Sequence, residues 1–484
     1  MKRFVMLLTF IVILMFTVSC GGTASDSETF KDTAEYTTGE TTAEETVRYI
    51  DTLPSTDFGG DTISIIAASF GTNVNIPENE ETGDLINDAV LKRNREIEER
   101  YNIKFVYYLA ASADETQTKA SASVLAGDAD YDIIIDSMFG VNAPMLQKGL
   151  LASYDNIPHV DLDQSWWSKF ILTDLSIKGK VYFPTGEIVA GYFRAPYSMI
   201  FNKRLAENFN IESPYQLVSD YKWTIDKMAE LMKDVALDLD GDGKMTNLDQ
   251  YALGLDDVAG FGYFIAMGEK MTKFDDKGLP YLTLGDTKTI ETVEMLASIV
   301  GDKNIVIRGE NYVKNEEHVV FTSGRSLFLA NTFNNFYTFR DMTDDFGIIP
   351  LPMRNEEQGV YYSYAQPWSG TGVTVPITNQ NLEKTGLIIE AMAYLSTEYL
   401  TPAMYEVTLK TKVARDNDSE AMLDIIFSNS SYDLNVIFNW GSSANMLRDC
   451  VLGDKQNYVS SYEAIRTATD TALQKTIEII EELP

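Results

Sequence analysis

Strand-like and helix-like patterns alternate along the first part of the chain, and this alternation constrains the fold more than any other feature. Apolar strand-like runs occupy residues 62–68, 103–109 and 131–136, and helical patterns lie between them at residues 83–101 and 114–125. Strands separated by helices pair in parallel through right-handed crossovers. The sequence therefore predicts an α/β fold, in which ligands gather at the carboxyl ends of the strands.

Two loops lie at those strand ends and supply candidate ligand residues. Phe70 and Asn73 follow the first strand, and Asp136 and Ser137 lie at the end of the third. Asp136 has a structural alternative, because Asp is strongly favoured as a helix cap or turn residue. The sequence leaves both roles of Asp136 open.

Residues 321–352 and 367–376 are a second pair of informative segments. The first reads FTSGRSLFLANTFNNFYTFRDMTDDFGIIPLP and the second reads PWSGTGVTVP. Both are apolar and punctuated by Gly and Pro, which is typical of buried strands that end at a ligand cleft. The order of a Gly-Arg turn, an apolar strand, an Asn-rich aromatic segment and a Pro-closed strand resembles the bacterial extracellular solute-binding proteins of ABC importers. The resemblance is greatest to the large sugar-binding lipoprotein family.

The resemblance implies a periplasmic-binding-protein-like fold with two α/β lobes, a hinge of crossing strands and a cleft between the lobes. Residues 197–211, 361–368 and 413–416 resemble the segments that cross between the lobes. The implied division is residues 58–197 and 367–413 for the first lobe, and residues 198–366 and 414–484 for the second. The implied function is capture of a sugar or oligosaccharide by lobe closure, followed by delivery to permease subunits.

The resemblance also implies which side chains contact the solute. The loops that carry Phe70, Asn73, Asp136 and Ser137 supply contacts in the family, and Asp136 stands where an acidic group accepts hydrogen bonds from sugar hydroxyls. These roles are expectations that depend on the resemblance.

Aromatic and amide side chains elsewhere complete the expected cleft. Phe333 and Asn334 lie in the segment NTFNNFYTF, where rings would cover the apolar faces of pyranoses and amides would bind hydroxyls. Trp368 lies at the second crossing and is the best candidate for ring stacking. Trp440 is the second candidate, because an aromatic residue before the last helices often lines the cleft in the family. Core packing is the alternative for each of these rings.

The most specific short motif is an acidic loop of twelve residues that starts at Asp238. It places oxygen ligands at positions 1, 3, 5, 7, 9 and 12 and a Gly at position 6, which matches a calcium loop. The predicted ligands are the side chains or carbonyls of Asp238, Asp240, Asp242, Lys244, Thr246 and Asp249. Asp at position 12, where an EF-hand has Glu, is similar to the loops of dockerin modules. A solvated acidic turn is the alternative to a structural Ca²⁺ site.

The N-terminus has the pattern of an export signal. Residues 1–20 begin with two basic residues, continue as an apolar run and end in small residues before Cys20. This resembles a lipoprotein processing site, although Thr17 replaces the usual Leu, and plain secretion is the alternative. Residues 21–57 are rich in Thr, Glu, Ser and Asp and predict a flexible tether. The sequence thus predicts an extracytoplasmic protein held to the cell membrane by a lipid on Cys20.

Charge and motifs exclude several functions. The formal net charge of −33 would repel nucleic acid and anionic lipid. The sequence contains no nucleophile elbow, zinc-protease motif or phosphate-binding loop, and only His159 and His318 could act as imidazole bases. We therefore expect a monomeric binding protein and not an enzyme. A surface adhesin that binds polysaccharide without transport, and a receptor for a peptide or another polar solute, remain the alternatives.

Overall fold

Two β-sheets organise this protein in a computed structural model that describes residues 47–68, 76–309, 315–339 and 342–483. Within these residues the strands are, in chain order, β1 Asp61–Ala68, β2 Ile103–Ala110, β3 Ile133–Ser137, β4 Tyr197–Asn202, β5 Tyr251–Leu255, β6 Thr272–Phe274, β7 Pro280–Leu282, β8 Val306–Arg308, β9 Ser326–Thr332, β10 Phe346–Ile349, β11 Ser363–Tyr364, β12 Thr371–Thr374 and β13 Ser430–Ser431.

Helices cover the faces of these sheets. In the same residues the α-helices are α1 Leu85–Tyr101, α2 Ala113–Ala126, α3 Ala143–Leu146, α4 Ala190–Arg194, α5 Lys203–Asn208, α6 Pro214–Ser219, α7 Ile225–Leu231, α8 Ala259–Ala266, α9 Thr287–Val300, α10 Glu316–Thr322, α11 Phe333–Phe336, α12 Leu382–Glu398, α13 Asn417–Ser428, α14 Leu434–Phe438, α15 Ser443–Val451 and α16 Tyr458–Glu482. Stretches of π-helix occupy Met138–Asn142, Ile171–Leu175 and Pro402–Val413.

The first sheet has the strand order β12-β3-β1-β2. Strands β1, β2 and β3 are parallel, as the alternation of strands and helices predicts, and β12 returns antiparallel to β3. Side-chain caps fix where the crossover helices begin: Asp84 accepts hydrogen bonds from the N–H groups of Ile86 and Asn87, and Ser112 accepts one from Glu115. The parallel α/β unit predicted from the sequence is confirmed.

The second sheet has the strand order β10-β4-β9-β5-β8. Strand β5 is parallel to β8 and β9, whereas β4 is antiparallel to β9 and β10. Its strands are buried on both faces, so successive residues of one strand pack in different cores. In β4, Met199 lies in one hydrophobic cluster and Ile200 in another.

Within the described residues the interior consists of three large hydrophobic clusters and a small fourth cluster of Tyr251, Ile307 and Val320. The first core surrounds the first sheet and includes Ile65, Ile134 and Val373. The second and third cores cover the two faces of the second sheet and include Phe328 and Leu329, respectively.

The C-terminal helix α16 belongs to two of these cores. Tyr458 and Tyr462 pack in the second core, and Ile477 and Ile480 pack in the first. The lobe boundaries expected from the sequence stay a prediction, but this helix joins the two cores instead of completing only the second.

The predicted tether extends too far into the chain. It was expected to reach residue 57, but residues Tyr49–Asp51 form a short 3-10 helix and Ile50 is fully buried in the first core. Arg48 also pairs with Glu96 at 2.9 Å. Ile50 is an apolar residue within a mostly polar segment, so the composition of the segment did not reveal that this side chain is buried. Among the described residues, no helix combines the length and apolar character that crossing a bilayer requires.

Candidate functional site

The carboxyl ends of the parallel strands in both sheets meet at the place where the chain crosses between them. In the first sheet, Ser137 at the end of β3 pairs with Thr371 at the start of β12. In the second, Thr332 at the end of β9 pairs with Tyr197 at the start of β4. Because β4 and β12 each begin just after a crossing, these strand ends lie on the two sides of it. This is where ligands bind in open α/β sheets.

The crossing segments are hydrogen-bonded to one another. Gln366 N–H donates to the carbonyl of Ala195 at 3.0 Å, and Ala365 N–H donates to the carbonyl of Ser431 at 2.8 Å. Strands β11 and β13 continue this contact in parallel. Gly191 allows close approach, since a Cβ there would lie 2.2 Å from Oγ1 of Thr371.

The third crossing expected at residues 413–416 stays a prediction, and the strand that pairs with β11 is Ser430–Ser431. Asp416 caps α13, accepting a hydrogen bond from Ser419 N–H at 2.6 Å, and also binds Tyr215 and Lys203.

Trp368 lies between aromatic rings from the two sides of this crossing. Its ring centroid is 4.5 Å from that of Phe139, which follows β3, and 6.1 Å from that of Phe261 on α8. Phe261 belongs to the second core, and its ring faces the Arg448 guanidinium at 5.9 Å. Trp368 itself is half-buried. The predicted stacking residue thus lies at the junction of the two sheets with part of its surface exposed.

Asp136 is a structural residue and does not lie where a solute could contact it, contrary to one of its two predicted roles. The side chain is 1% exposed, and its oxygens accept hydrogen bonds from Ala68 N–H at 2.9 Å and Ser137 N–H at 2.7 Å. Burial raises the pKa of Asp136 despite these bonds. The carboxylate therefore ties the ends of β1 and β3 together, in the structural role that the sequence left open.

Ser137 is also engaged by the protein itself. Its hydroxyl donates to the carbonyl of Pro367 at 3.0 Å and accepts from Gly140 N–H at 3.1 Å. The side chain is 8% exposed, so it positions the loop beside Trp368 and offers little surface to a solute.

Trp440 and Phe333 are core residues, contrary to their predicted place in the cleft. Trp440 is 1% exposed, stacks on Phe438 at 5.0 Å, and donates from Nε1 to Oγ1 of Thr476 at 2.9 Å. Phe333 is fully buried and stacks on Phe427 at 5.3 Å. Both rings pack against other side chains in the protein interior. Neither ring therefore has an exposed face on which a sugar could stack.

The remaining predicted contacts divide into two groups. Asn334 is exposed on α11, while its neighbour Asn335 donates to Oδ1 of the buried Asn331 at 2.7 Å. Phe70 and Asn73 lie outside the described residues, as does Cys20.

The sequence missed a group of acidic residues at the end of β5. Asp256 accepts hydrogen bonds at Oδ1 from Tyr197 Oη at 2.7 Å and from Val258 N–H at 3.1 Å, and Asp257 is exposed beside it. Burial raises the pKa of Asp256 to about 7. The signal available in the sequence was the Asp-Asp pair directly after the apolar run YALGL.

Glu317 and His318 belong to the same region. Glu317 is 1% exposed, and burial raises its pKa to about 8. Nε2 of His318 lies 2.8 Å from the amide nitrogen of Asn331, and burial lowers the pKa of this imidazole to about 4. His318 is therefore neutral, and its Nε2 accepts from the amide.

The acidic loop gathers three of its six predicted metal ligands. Carboxylate oxygens of Asp238, Asp240 and Asp242 lie within 4.8 Å of one another on the surface. Asp249 is not part of that cluster: it is fully buried and accepts hydrogen bonds from Leu239 N–H at 2.9 Å and Thr246 N–H at 2.7 Å.

Hydrogen bonds within the loop shape the site. The Thr246 N–H bond is the main reason that the pKa of Asp249 is lowered. Lys244 N–H donates to Asp242, and the Thr246 hydroxyl donates to Asp249. Three adjacent carboxylates suit Ca²⁺, and the loop carbonyl and hydroxyl would supply further hard oxygen ligands.

Two cavities lie apart from Trp368. One of about 600 Å³ lies at the free edge of β2, between Tyr108 and Tyr131. Another of about 370 Å³ lies beside Lys270, Asp174 and Tyr432, where the first and second cores meet. Neither is lined by any residue that the sequence predicted as a ligand contact.

Comparison with solved structures supports this architecture. One similar structure is the maltose-binding protein MalE from Listeria monocytogenes in complex with maltose. The match covers 86% of this chain and 98% of MalE, with 15% sequence identity and a TM-score of 0.56. A second is UgpB from Mycobacterium tuberculosis in complex with glycerophosphocholine, where the match covers 87% of this chain and 100% of UgpB, with 15% identity and a TM-score of 0.53.

A third structure covers slightly more of the chain. It is the GacH receptor of Streptomyces glaucescens GLA.O, solved unliganded and with acarbose. The match covers 88% of this chain and 100% of GacH, with 14% sequence identity and a TM-score of 0.51. No protein-family model and no curated protein sequence matches the chain. The chain has the two-lobe α/β fold of bacterial ABC-transporter solute-binding proteins.

Proposed function

We propose that this protein is the substrate-binding component of an ABC importer and captures a saccharide or a similarly polar solute between its lobes. The observation that carries the proposal is the position of Trp368, whose partly exposed ring lies between Phe139 of the first lobe and Phe261 of the second. Indole rings cover the apolar faces of sugars. The fold is similar to that of proteins solved in complex with maltose, acarbose and glycerophosphocholine.

Lobe closure would couple binding to transport. Contacts made by both lobes exist only when the lobes are closed, so a solute that makes them shifts the population toward the closed form. The hydrogen-bonded crossing segments at Ala195, Gln366 and Ser431 would act as the hinge. Permease subunits would then recognise the closed form.

Isothermal titration calorimetry of the purified protein against maltose, maltotriose and larger oligosaccharides tests the proposal. We expect a dissociation constant in the micromolar range or below for at least one of them, weakened at least tenfold by Trp368→Ala. Tyr108→Ala is the matched control, because Tyr108 is a partly exposed aromatic residue at the outer edge of the first sheet. Saccharide binding that is equally strong in both variants would place the site elsewhere.

We also propose that Cys20 carries a lipid that holds the protein to the outer face of the cell membrane. The support is the signal-like sequence that precedes this cysteine and the polar segment that follows it. Partitioning into detergent that is lost in Cys20→Ala would support the anchor, and unchanged partitioning would contradict it.

We further propose that the loop of Asp238, Asp240 and Asp242 binds a structural Ca²⁺. The support is the short mutual distance of their carboxylate oxygens, since like charges so close repel each other without a cation. In this role the ion fixes the turn between α7 and β5 and takes no part in solute binding.

A further inference from the structure

We propose that the solute carries a protonated amine, which is received by Asp256 and Asp257 at the end of β5. This inference rests on the proposed function and narrows the class of solute, from polar molecules in general to amino sugars and other organic cations.

The position of the two carboxylates is the first argument. β5 lies inside the second sheet, and its carboxyl end faces the crossing. Tyr197 Oη and Val258 N–H donate to Oδ1 of Asp256, and Ala259 N–H is a further backbone donor to this carboxylate. Asp256 is partly buried, whereas Asp257 is exposed. Asp256 is thus held rigidly, and the exposed carboxylate of Asp257 beside it remains for a ligand.

A buried carboxyl group that interacts electrostatically with both of them is the second argument. Glu317 is 1% exposed, and its Oε2 has no hydrogen-bond partner among the described residues. It lies against the end of β8, where a Cβ on Gly309 would be 2.1 Å from this oxygen. The ring nitrogen of His318 is 3.7 Å from Oε1, but this nitrogen already accepts from Asn331 and carries no charge. A positive charge from outside would stabilise this site.

The electrostatic surroundings agree with that conclusion. Glu317 is influenced by Asp256 and Asp257 from the β5 end and by Glu316 on its own helix, all of which are acidic. Tyr197 and Asp257 act on Asp256. In the described part of the chain, no Lys or Arg forms an ion pair with Asp256 or Glu317. Burial and like charges therefore raise both pKa values, to about 7 and about 8.

The spacing of the carboxylates favours an organic cation over a metal ion. The ring of Tyr364 connects the Asp256 region to the Trp368 stack, with centroid distances of 6.2 Å to Tyr197 and 6.0 Å to Phe261. Tyr197, Tyr364 and Phe261 are fully buried, so the partly exposed Trp368 is the ring of this group that an ammonium group could reach. Among the described residues, only the Asp238 loop brings three metal-ligating atoms within 4.8 Å, and the Asp256 group does not. A larger ligand with several donors fits this spacing better than a bare ion.

Calorimetry with charge-matched sugars tests the inference. Chitosan oligomers carry amines, whereas N-acetylated chito-oligomers of equal length are neutral, and spermidine carries amines without a sugar. We expect at least one amine-bearing probe to bind at least tenfold more tightly than the neutral oligomer. Because a bound cation favours ionised carboxylates, binding of spermidine, whose aliphatic amines stay protonated in this range, should release protons and strengthen from pH 6 to pH 8.

Substitutions test whether the preference for amine-bearing solutes depends on Asp256 and Asp257. Asp256→Asn with Asp257→Asn should weaken the amine-bearing probe at least tenfold and abolish proton release. Asp276→Asn, on the exposed β6–β7 turn, should change neither. Neutral oligomers that bind as tightly as charged ones in a Trp368-dependent manner would overturn this inference and leave the proposed function standing. Failure of amine-bearing and neutral solutes alike would overturn both.

Discussion

Nζ of Lys270 lies 2.8 Å from Oδ2 of Asp174, and this ion pair joins the two lobes beside the hinge. Asp174 lies in the π-helical turn whose Ile171 and Leu175 pack in the first core, and Lys270 precedes Met271 of the second core. Lys270 also contacts the Ser431 hydroxyl and the Tyr432 carbonyl of the last crossing. One cation thus connects both lobes to a hinge segment.

Replacing Lys270 should loosen this junction. In Lys270→Met, the 10%-exposed Asp174 loses its counter-charge, although Tyr432 N–H still donates to it at 2.9 Å. We expect the free energy of unfolding to fall by about 1–2 kcal/mol, between the values typical of exposed and buried pairs. Urea denaturation measures this change.

Lys119→Met is the control for that experiment. Lys119 pairs with Glu115 at 2.8 Å on the surface of α2, and both side chains are well exposed. Because both groups are well exposed, loss of this pair should lower the free energy of unfolding far less than loss of the Lys270 pair. Equal effects of the two substitutions would show that the Lys270 pair does not stabilise the junction.

Substitution of Trp440 should lower stability, whereas substitution of Trp368 should weaken solute binding. Trp440→Phe loses the hydrogen bond to Thr476 and part of a buried ring, so the free energy of unfolding should fall by about 1–3 kcal/mol while solute affinity changes less than twofold. Trp368→Phe keeps a ring against Phe139 but should weaken binding several-fold. Denaturation and calorimetry on both variants check this contrast, which a loss of affinity in Trp440→Phe alone would contradict.

Glu390 should make the protein less stable as the pH rises. Its carboxyl group is fully buried, accepts a hydrogen bond from Trp167 Nε1 at 3.2 Å, and has a pKa raised by burial from 4.5 to about 7. Above pH 4.5 the unfolded chain releases this proton while the folded chain keeps it. The stabilisation present at pH 4 is therefore lost progressively as the pH rises through 7.

Glu390→Gln tests this contribution, because a neutral amide can keep the contacts with Trp167 and Tyr49. The variant should match the wild type near pH 4 and exceed its unfolding free energy at pH 8 by about 3 kcal/mol. The exposed Glu357→Gln should follow the wild type at every pH. A parallel pH profile for Glu390→Gln and the wild type would refute the assignment.

Calcium should stabilise the fold through the Asp238 loop. A ligand present at a hundred times its dissociation constant adds about 2.7 kcal/mol to the unfolding free energy. We expect such a rise between EDTA and millimolar Ca²⁺, and its loss in Asp240→Asn with Asp242→Asn. Identical melting of the wild type in both buffers would contradict a calcium site.

The sequence predicted well those features that depend on local patterns. The apolar runs at residues 62–68 and 103–109 correspond to β1 and β2 to within about one residue at each end. A short apolar run bounded by polar turns is typical of a buried strand. Thr224 caps α7 by accepting a hydrogen bond from Lys227 N–H, in agreement with the preference of Thr for this position. The place of Trp368 at a crossing between lobes stays a prediction, and its ring lies between those of Phe139 and Phe261.

Features that depend on distant partners were not predictable. Trp440 is buried because Thr476, 36 residues later, binds its indole nitrogen, and Asp136 is buried because Ala68 of another strand donates to it. Asp256 accepts a hydrogen bond from Tyr197 and interacts electrostatically with Glu317, and the fold brings both residues to it from other parts of the chain. Such contacts between distant residues cannot be predicted from the local composition.

Small-angle X-ray scattering of the purified protein, with and without a solute identified by calorimetry, tests the central claim most directly. If the two lobes close on the solute, the radius of gyration should fall at saturation, and Trp368→Ala should need a higher solute concentration for the same change. Identical scattering curves for the free and saturated protein would contradict capture by lobe closure.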